Sequence, residues 1–296
     1  MGSSLTCTGA PAESRTHYDQ AIALYNPTEH RPLATRVGQD LGVRILVYRS
    51  LALWFLGYPD AALADADRIM SNAREIGQAA TLMASLDYTT LTLIHCGKFA
   101  IAKARADEVV ALADEKGSTF WKAMGIMNRG CVLALTGCTS DAVHSITSGI
   151  TAWRSTGARV FAPLYLSYLA SAYVDLSRLD DAWRCIGEAI TAVETTKEKW
   201  WEAEINRVAG EIALKSPMPD AAKAEDYFGR ALAVARQQQA KSWELRAAMS
   251  LARLWRDQGK VRAARELLAP VYGWFTEGFD TLDLQEAKAL LQELAA

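Results

Sequence analysis

The sequence predicts an all-α solenoid: about six helix pairs repeating every 40 to 42 residues, a leading half-repeat and a C-terminal capping helix. Two observations carry this. Gly57, Gly97 and Gly137 stand 40 residues apart, and Gly77, Gly117 and Gly157 fall midway between them. Glycine takes a left-handed backbone just past a helix end at little cost, so the two interleaved sets describe helix, turn, helix, turn. The second observation is a set of apolar columns at the same period. Self-similarity at fixed spacing is the mark of stacked repeats.

The second helix of each unit carries the clearest column. Ala62, Ala102, Ala142, Ala182, Ala224 and Ala264 recur with one two-residue slip, between Ala182 and Ala224. Four residues on lie Ala66, Ala106, Ile146, Ile186, Phe228 and Leu268. Three further on lie Ile69, Val109, Gly149, Ala189, Ala231 and Val271, followed by Met70, Val110, Ile150, Ile190, Leu232 and Tyr272. Offsets of 0, 4, 7 and 8 share one helical face. The first helix has small residues at Ser50, Thr90, Gly130, Ala170, Gly210 and Ala252, where its partner helix must approach closely.

Upstream, Ser14, Tyr18, Ala21 and Ile22 follow second-helix spacing, and Asn26-Pro27 to Pro32 reads as an irregular connection. Residues 1–11 are small, polar and non-periodic. They read as a disordered or appended start, since Met1-Gly2-Ser3-Ser4 resembles an artificial leader. The array, 12–272, thus opens in the middle of a unit, as a piece of a longer protein would. Residues 273–296 read as an aromatic linker and a capping helix. There Asp280-Thr281 can cap the helix, and Leu282, Ala287, Leu290, Leu291 and Leu294 form one stripe.

Half the residues are hydrophobic, enough for a continuous core. Lys plus Arg is 32 against 34 Asp plus Glu, a net charge of −2, which argues against nonspecific nucleic-acid binding. The most apolar stretch, Ile45 to Tyr58, is interrupted by Arg49 and too short to span a bilayer, and no basic-then-apolar leader is visible. No membrane partner is expected. Five scattered cysteines fit a reducing cytoplasm.

Catalytic chemistry finds little support. Lys116-Gly117-Ser118-Thr119 lacks the order of a phosphate-binding loop and reads as an interhelix turn with a helix cap. His95, Cys96, Cys131, Cys138 and His144 lack metal-ligand spacing, so buried structural cysteine is expected and no metal or cofactor. Asp180-Asp181 suits the start of a helix, where negative charge favours the dipole. Of Trp200-Trp201, one ring should pack and the other lie at the surface. The four histidines share no motif, and no enzyme is expected.

The segment Leu251-Ala252-x2-Trp255-x3-Gly259-x4-Ala264-x3-Leu268 resembles the tetratricopeptide (TPR) pattern, and Ala224-x3-Phe228-x2-Ala231-Leu232 its second helix. The period is longer than the family's 34 residues by about one helical turn per helix. In that family the first helices line a concave groove. By register, the groove here would comprise Val47, Leu51 and Trp54, then Asp87, Leu91 and Ile94, then Met127 and Cys131. Ser167, Ser171, Arg207, Met249, Arg253 and Arg256 would follow. The resemblance implies a protein or peptide partner, here a segment with an apolar part and an acidic part. The competing expectation is that the apolar residues pack in the interior and the arginines form solvated pairs. The Lys and Asn positions of chaperone-binding TPR domains are not matched.

From about Glu13 onward the chain also resembles the C-terminal region of bacterial proteins joining a class III nucleotide cyclase, an AAA- or STAND-type ATPase and a TPR tail. The residues carrying this are His30 to Thr35, Leu56-Gly57-Tyr58-Pro59, Ile150 to Gly157, Ser242-Trp243-Glu244-Leu245-Arg246 and Trp274 to Thr281. The resemblance implies a non-catalytic regulatory scaffold in signal transduction, possessing neither cyclase nor ATPase residues. Two readings stand beside it: the sensor arm of a transcription regulator, and an enzyme using the concave surface.

Overall fold

The computed structural model describes residues 1–295, so the final residue of the expected capping segment, Ala296, lies outside the described residues. The described residues form helices and turns and no strand. Six helix pairs follow one another: α5 (Leu41–Phe55) with α6 (Pro59–Ile76), α7 (Ala79–His95) with α8 (Phe99–Glu115), and α9 (Thr119–Leu135) with α10 (Thr139–Ser155). Then come α11 (Ala162–Asp175) with α12 (Leu179–Thr196), α13 (Glu202–Lys215) with α14 (Ala221–Gln237), and α15 (Lys241–Asp257) with α16 (Val261–Tyr272). Before them lie α1 (Gly2–Cys7), α2 (Pro11–Leu24), α3 (Pro27–His30), a 3₁₀ turn (Arg31–Leu33) and α4 (Ala34–Val37); α17 (Leu282–Glu293) follows them. The chain divides into two compact units. One comprises Met1–Thr6, Ala10–Trp54 and Asp60–Arg159; the other comprises Cys7–Gly9, Phe55–Pro59 and Val160–Ala296.

A first helix packs on its own partner, on the second helix of the preceding pair and on the neighbouring first helix: α9 does so with α10, α8 and α7, α13 with α14, α12 and α11, and α15 with α16, α14 and α13. The alanine column Ala62 to Ala264 is fully buried, as is the next column from Ala66 to Leu268. Ile190 departs from its column: it is exposed on α12. The small first-helix positions work as expected. A side chain at Gly130 would collide with Ile146, and one at Gly210 with Phe228.

The turns explain the glycine sets. Gly97, Gly117, Gly137 and Gly259 have positive φ. The residue after each donates its N–H five residues back, as Lys98 does to the Leu93 carbonyl at 2.8 Å, closing a Schellman motif. The glycine period ends at Gly157 although the turn does not: Ser177 (φ 58°) and Gln239 (φ 56°) take the same left-handed place. Ser118 occupies the N-cap position of α9, but its side chain makes no capping hydrogen bond.

Three expectations about the ends and the tryptophans change. Residues 2–7 form α1 rather than a disordered start. Gly2 lies flat against the Tyr18 ring, and the buried Thr6 hydroxyl sits 2.8 Å from the Tyr18 hydroxyl, so small residues permit this docking. In α17, Leu284 joins Ala287, Leu290 and Leu294 in the core while Leu282 is exposed; Thr281 is the N-cap residue, but its hydroxyl donates backwards to the Gly278 carbonyl at 2.6 Å. Trp200 and Trp201 are both buried. They surround Phe55 together with Trp243, with ring centroids 5.7–6.2 Å from it.

That aromatic cluster organises the second unit. Buried Glu198 accepts the Phe161 N–H at 2.9 Å and the Trp200 indole N–H at 2.6 Å. Burial raises its pKa, and these two donors oppose the rise. Trp243 donates to the Trp200 carbonyl at 3.0 Å. Nearby, a side chain on Gly57 would meet Trp274 and Phe275, and one on Gly278 would meet Pro59. The segments Leu56–Pro59, Ser242–Arg246 and Trp274–Thr281 therefore contribute to one packed region.

Candidate functional site: a cavity on three first helices

In the first unit a cavity of about 280 Å³ opens on the first helices of three successive pairs. Helix α5 contributes Val43, Arg44, Val47 and Tyr48; α7 contributes Ala80, Thr81, Ala84 and Tyr88; α9 contributes Trp121. Val37, Gly38 and Gln39 close one end. Its geometry follows from the repeat. Arg44 and Tyr48 lie one turn apart on α5, and Ala84 and Tyr88 occupy the equivalent places 40 residues later.

The aromatic rings form a ladder. Tyr18 stacks on Tyr48 at 6.5 Å, Tyr48 tilts against Tyr88 at 5.6 Å, and Tyr88 meets Trp121 edge-on at 6.2 Å. The Tyr48 and Tyr88 hydroxyls are 3.5 Å apart. Thr81 is held in place on both sides: its hydroxyl accepts the Asp40 N–H at 2.9 Å and donates to Gln78 Oε1 at 2.5 Å. Exposed Arg44 is the lining's charged side chain, and no carboxylate lines the cavity beside it. The chemistry is that of an aromatic slot of mixed polarity, with tyrosine hydroxyls, Thr81 and Gln39 in its lining and one cation at its edge.

Of the sequence-predicted groove residues, Val47 lines this cavity. Leu51, Trp54, Leu91, Ile94, Met127 and Cys131 are buried, and the Trp54 ring stacks on His95 at 4.3 Å. Asp87 is fully buried; its Oδ1 accepts from Asn128 Nδ2 at 2.8 Å, and its Oδ2 has no hydrogen-bond partner. Burial holds its pKa well above the usual carboxylate range, against a smaller lowering by Asn128.

In the second unit, Ser167 is buried, donating to the Leu164 carbonyl at 2.7 Å and accepting from Trp201 Nε1 at 3.0 Å. Ser171 lines a separate opening of about 320 Å³ between α11 and α13. Arg207 clasps Glu204 at 2.7 Å and also pairs with Glu211; burial depresses its pKa, and the two carboxylates more than reverse this. Met249 is buried. Arg253 pairs with Glu286 of α17 at 2.8 Å, and Arg256 with Glu293 of α17 at 2.5 Å and Asp257 at 2.9 Å.

Sequence reasoning did not select Arg44, Tyr48, Tyr88 and Trp121. The 40-residue recurrence of Tyr48 in Tyr88 was the available signal, on the face beside the one followed. Cys96 and Cys131 are buried, as expected of structural cysteines, whereas Cys138, in the turn before α10, is exposed. Among the described residues, no helix is long and apolar enough to cross a membrane, and no three His, Cys, Asp or Glu gather to hold a metal ion.

No family model and no curated protein matches this chain. Its structure is similar to that of a Rap protein complexed with competence and sporulation factor, at 12% identity and a TM-score of 0.67, over 98% of this chain and 77% of that one. It is also similar to the apo form of RapI, at 13% identity and a TM-score of 0.58, over 85% and 84%. A chain of the APC/C hetero-tetramer Cut9–Hcn1 aligns over 99% of this chain and 54% of its own length, at 13% identity and a TM-score of 0.58. These neighbours are TPR-like helical repeat proteins, and the likeness establishes the fold of this chain as a TPR-like α-solenoid.

Proposed function

We propose that this chain is a non-catalytic protein-interaction module. Its cavity on α5, α7 and α9 receives an apolar side chain of a partner segment, and an acidic group of that segment faces Arg44. The observation that carries this reading is the aromatic slot built from equivalent positions of successive first helices, with one cation and no anion in its lining. Two structural neighbours are complexes by their own description, one with competence and sporulation factor and one with Hcn1. The sequence segments quoted above support a finer reading: the regulatory TPR tail of a cyclase–ATPase signalling protein in the cytoplasm, with an adjacent domain as one partner. A cyclase signature in the flanking reading frame supports that context, and a helix-turn-helix there supports a transcription regulator instead.

Selection of a displayed peptide library on the intact chain tests the module itself. The selected peptides are expected to pair an apolar or aromatic residue with an acidic one. They should lose at least about tenfold in affinity on Val47→Glu or Arg44→Glu, the size of effect a desolvated clash or a reversed charge produces. Peptides that bind both variants as well as the parent chain would remove the assignment.

A further inference from the structure

A second opening in the first unit, of about 180 Å³, lies away from the aromatic slot, between α2, α5, α6 and the turn that follows α3. Its apolar wall is Ile22, Leu46 and Ile76, and its polar side carries Arg31, Arg68 and Asn72. Arg68, Asn72 and Ile76 are spaced i, i+4 and i+8 on α6, so they share one stripe. The donors there are under-used. Arg31 Nη1 is committed to Glu75 at 2.8 Å and the guanidinium also interacts with the Tyr25 hydroxyl, but its Nε is buried without a hydrogen-bond partner. Arg68 and Asn72 make no side-chain hydrogen bond or ion pair among the described residues.

The carboxylate in the lining is already engaged. Asp40 Oδ1 accepts the Val43 N–H at 2.9 Å, which caps α5, and Oδ2 accepts the Tyr25 hydroxyl at 2.8 Å. Tyr25 packs against Gly42, where a side chain would collide with its ring, so this arrangement is built in by close packing. Two guanidinium groups and an amide thus border a space whose one carboxylate, Asp40, already accepts a hydrogen bond on each oxygen. A buried donor without a partner, such as Arg31 Nε, is costly, and an oxyanion can satisfy it together with the exposed Arg68 and the half-buried Asn72.

We propose that this opening binds a small molecule bearing an oxyanion, gripped by Arg31, Arg68 and Asn72, with its short apolar part against Ile22, Leu46 and Ile76. The opening, of about 180 Å³, has room for a phosphate or a short carboxylic acid. This site is independent of the peptide slot.

Calorimetric titration of the full chain with inorganic phosphate and, separately, with isobutyrate tests it, at constant ionic strength with chloride as the counterion. One or both probes are expected to bind saturably near one per chain. Arg68→Gln should weaken that binding by about tenfold or more, and Asn72→Ala by several-fold, the range expected for charge-assisted and neutral hydrogen bonds. Arg265→Gln, on α16 in the other unit, should leave it unchanged. Phosphate alone binding identifies a phosphoryl ligand, and isobutyrate alone a carboxylate with an apolar body. Because Arg68 is exposed and unpaired, its replacement keeps the fold, which an unchanged melting curve verifies. Absence of saturable binding of both probes at millimolar concentration, or equal affinity in Arg68→Gln, overturns the proposal.

Discussion

A methyl group placed on Gly210 of α13 would lie 2.4 Å from Cε1 of Phe228 on α14. The same relation holds two helix pairs earlier, where a side chain on Gly130 would lie 2.6 Å from Ile146. The columns compensate one another in size. Glycine on the first helix stands opposite Phe228 and Ile146, whereas Ser50 and Thr90 stand in register with the alanines Ala66 and Ala106.

Gly210→Ala should therefore destabilise the chain by about 1–2 kcal/mol. Overpacking costs about 1–3 kcal/mol, and better helix propensity returns up to about 1. Adding Phe228→Leu should recover part of the loss, giving a coupling of about 1 kcal/mol in a double-mutant cycle read by urea denaturation. Strict additivity of the two changes would mean that the contact does not set the approach of α13 to α14.

Ser177 and Gln239 hold left-handed turn positions that glycine occupies elsewhere, and both are exposed. The left-handed conformation costs a side-chain-bearing residue about 1–2 kcal/mol, while glycine's extra unfolded-state entropy costs about 0.4–1. Ser177→Gly and Gln239→Gly should each raise stability by about 0.5–1 kcal/mol. Thermal midpoints should rise by a few degrees for the pair; a fall in both would contradict the turn geometry.

Arg246 and Arg253 both tie α15 to α17, but in different surroundings. The Arg246–Asp283 pair is 17% and 18% exposed, and the Arg253–Glu286 pair 40% and 45%. Exposed pairs are worth under about 1 kcal/mol, whereas losing one partner of a largely buried pair costs about 3–5 when burial is complete. Arg246→Ala should cost about 2–4 kcal/mol and expose α17 to limited proteolysis. Arg253→Ala should cost under about 1 kcal/mol, with α17 still protected. Equal effects would place both pairs in the same environment.

Asp87 makes stability depend on pH. Its folded pKa is raised by burial above the unfolded value, so the folded state holds this proton more tightly. The contribution is greatest below about pH 4, near the unfolded pKa, and is lost as pH rises towards the folded value. Asp87→Asn keeps an acceptor for Asn128 and removes the titration. Urea midpoints measured from pH 4 upward should fall more steeply for the parent chain than for the variant, and parallel curves would refute the assignment.

The solenoid was legible in the amino-acid sequence because each unit meets the same packing problem. Ala62, Ala102, Ala142, Ala182, Ala224 and Ala264 recur on the inward face of each second helix, and every one is fully buried. The glycine turns were legible for the same reason until Ser177 and Gln239 took the same φ without the same letter. A backbone conformation can be imposed by its flanking helices, and then its residue type no longer announces it.

The surface was decided by tertiary structure, because it depends on which residues come together from distant units. Arg253 and Arg256 read either as groove cations or as members of solvated pairs, and only the packed structure names the partners, Glu286 and Glu293 of α17. Leu51, Leu91 and Met127 share the groove register but are covered, while Tyr48, Tyr88 and Trp121 line the open slot beside them. Local periodicity determines which side of a helix turns inward. How far neighbouring helices close over that side is set by the summed sizes of side chains on several of them, and that sum exists only once the helices are packed.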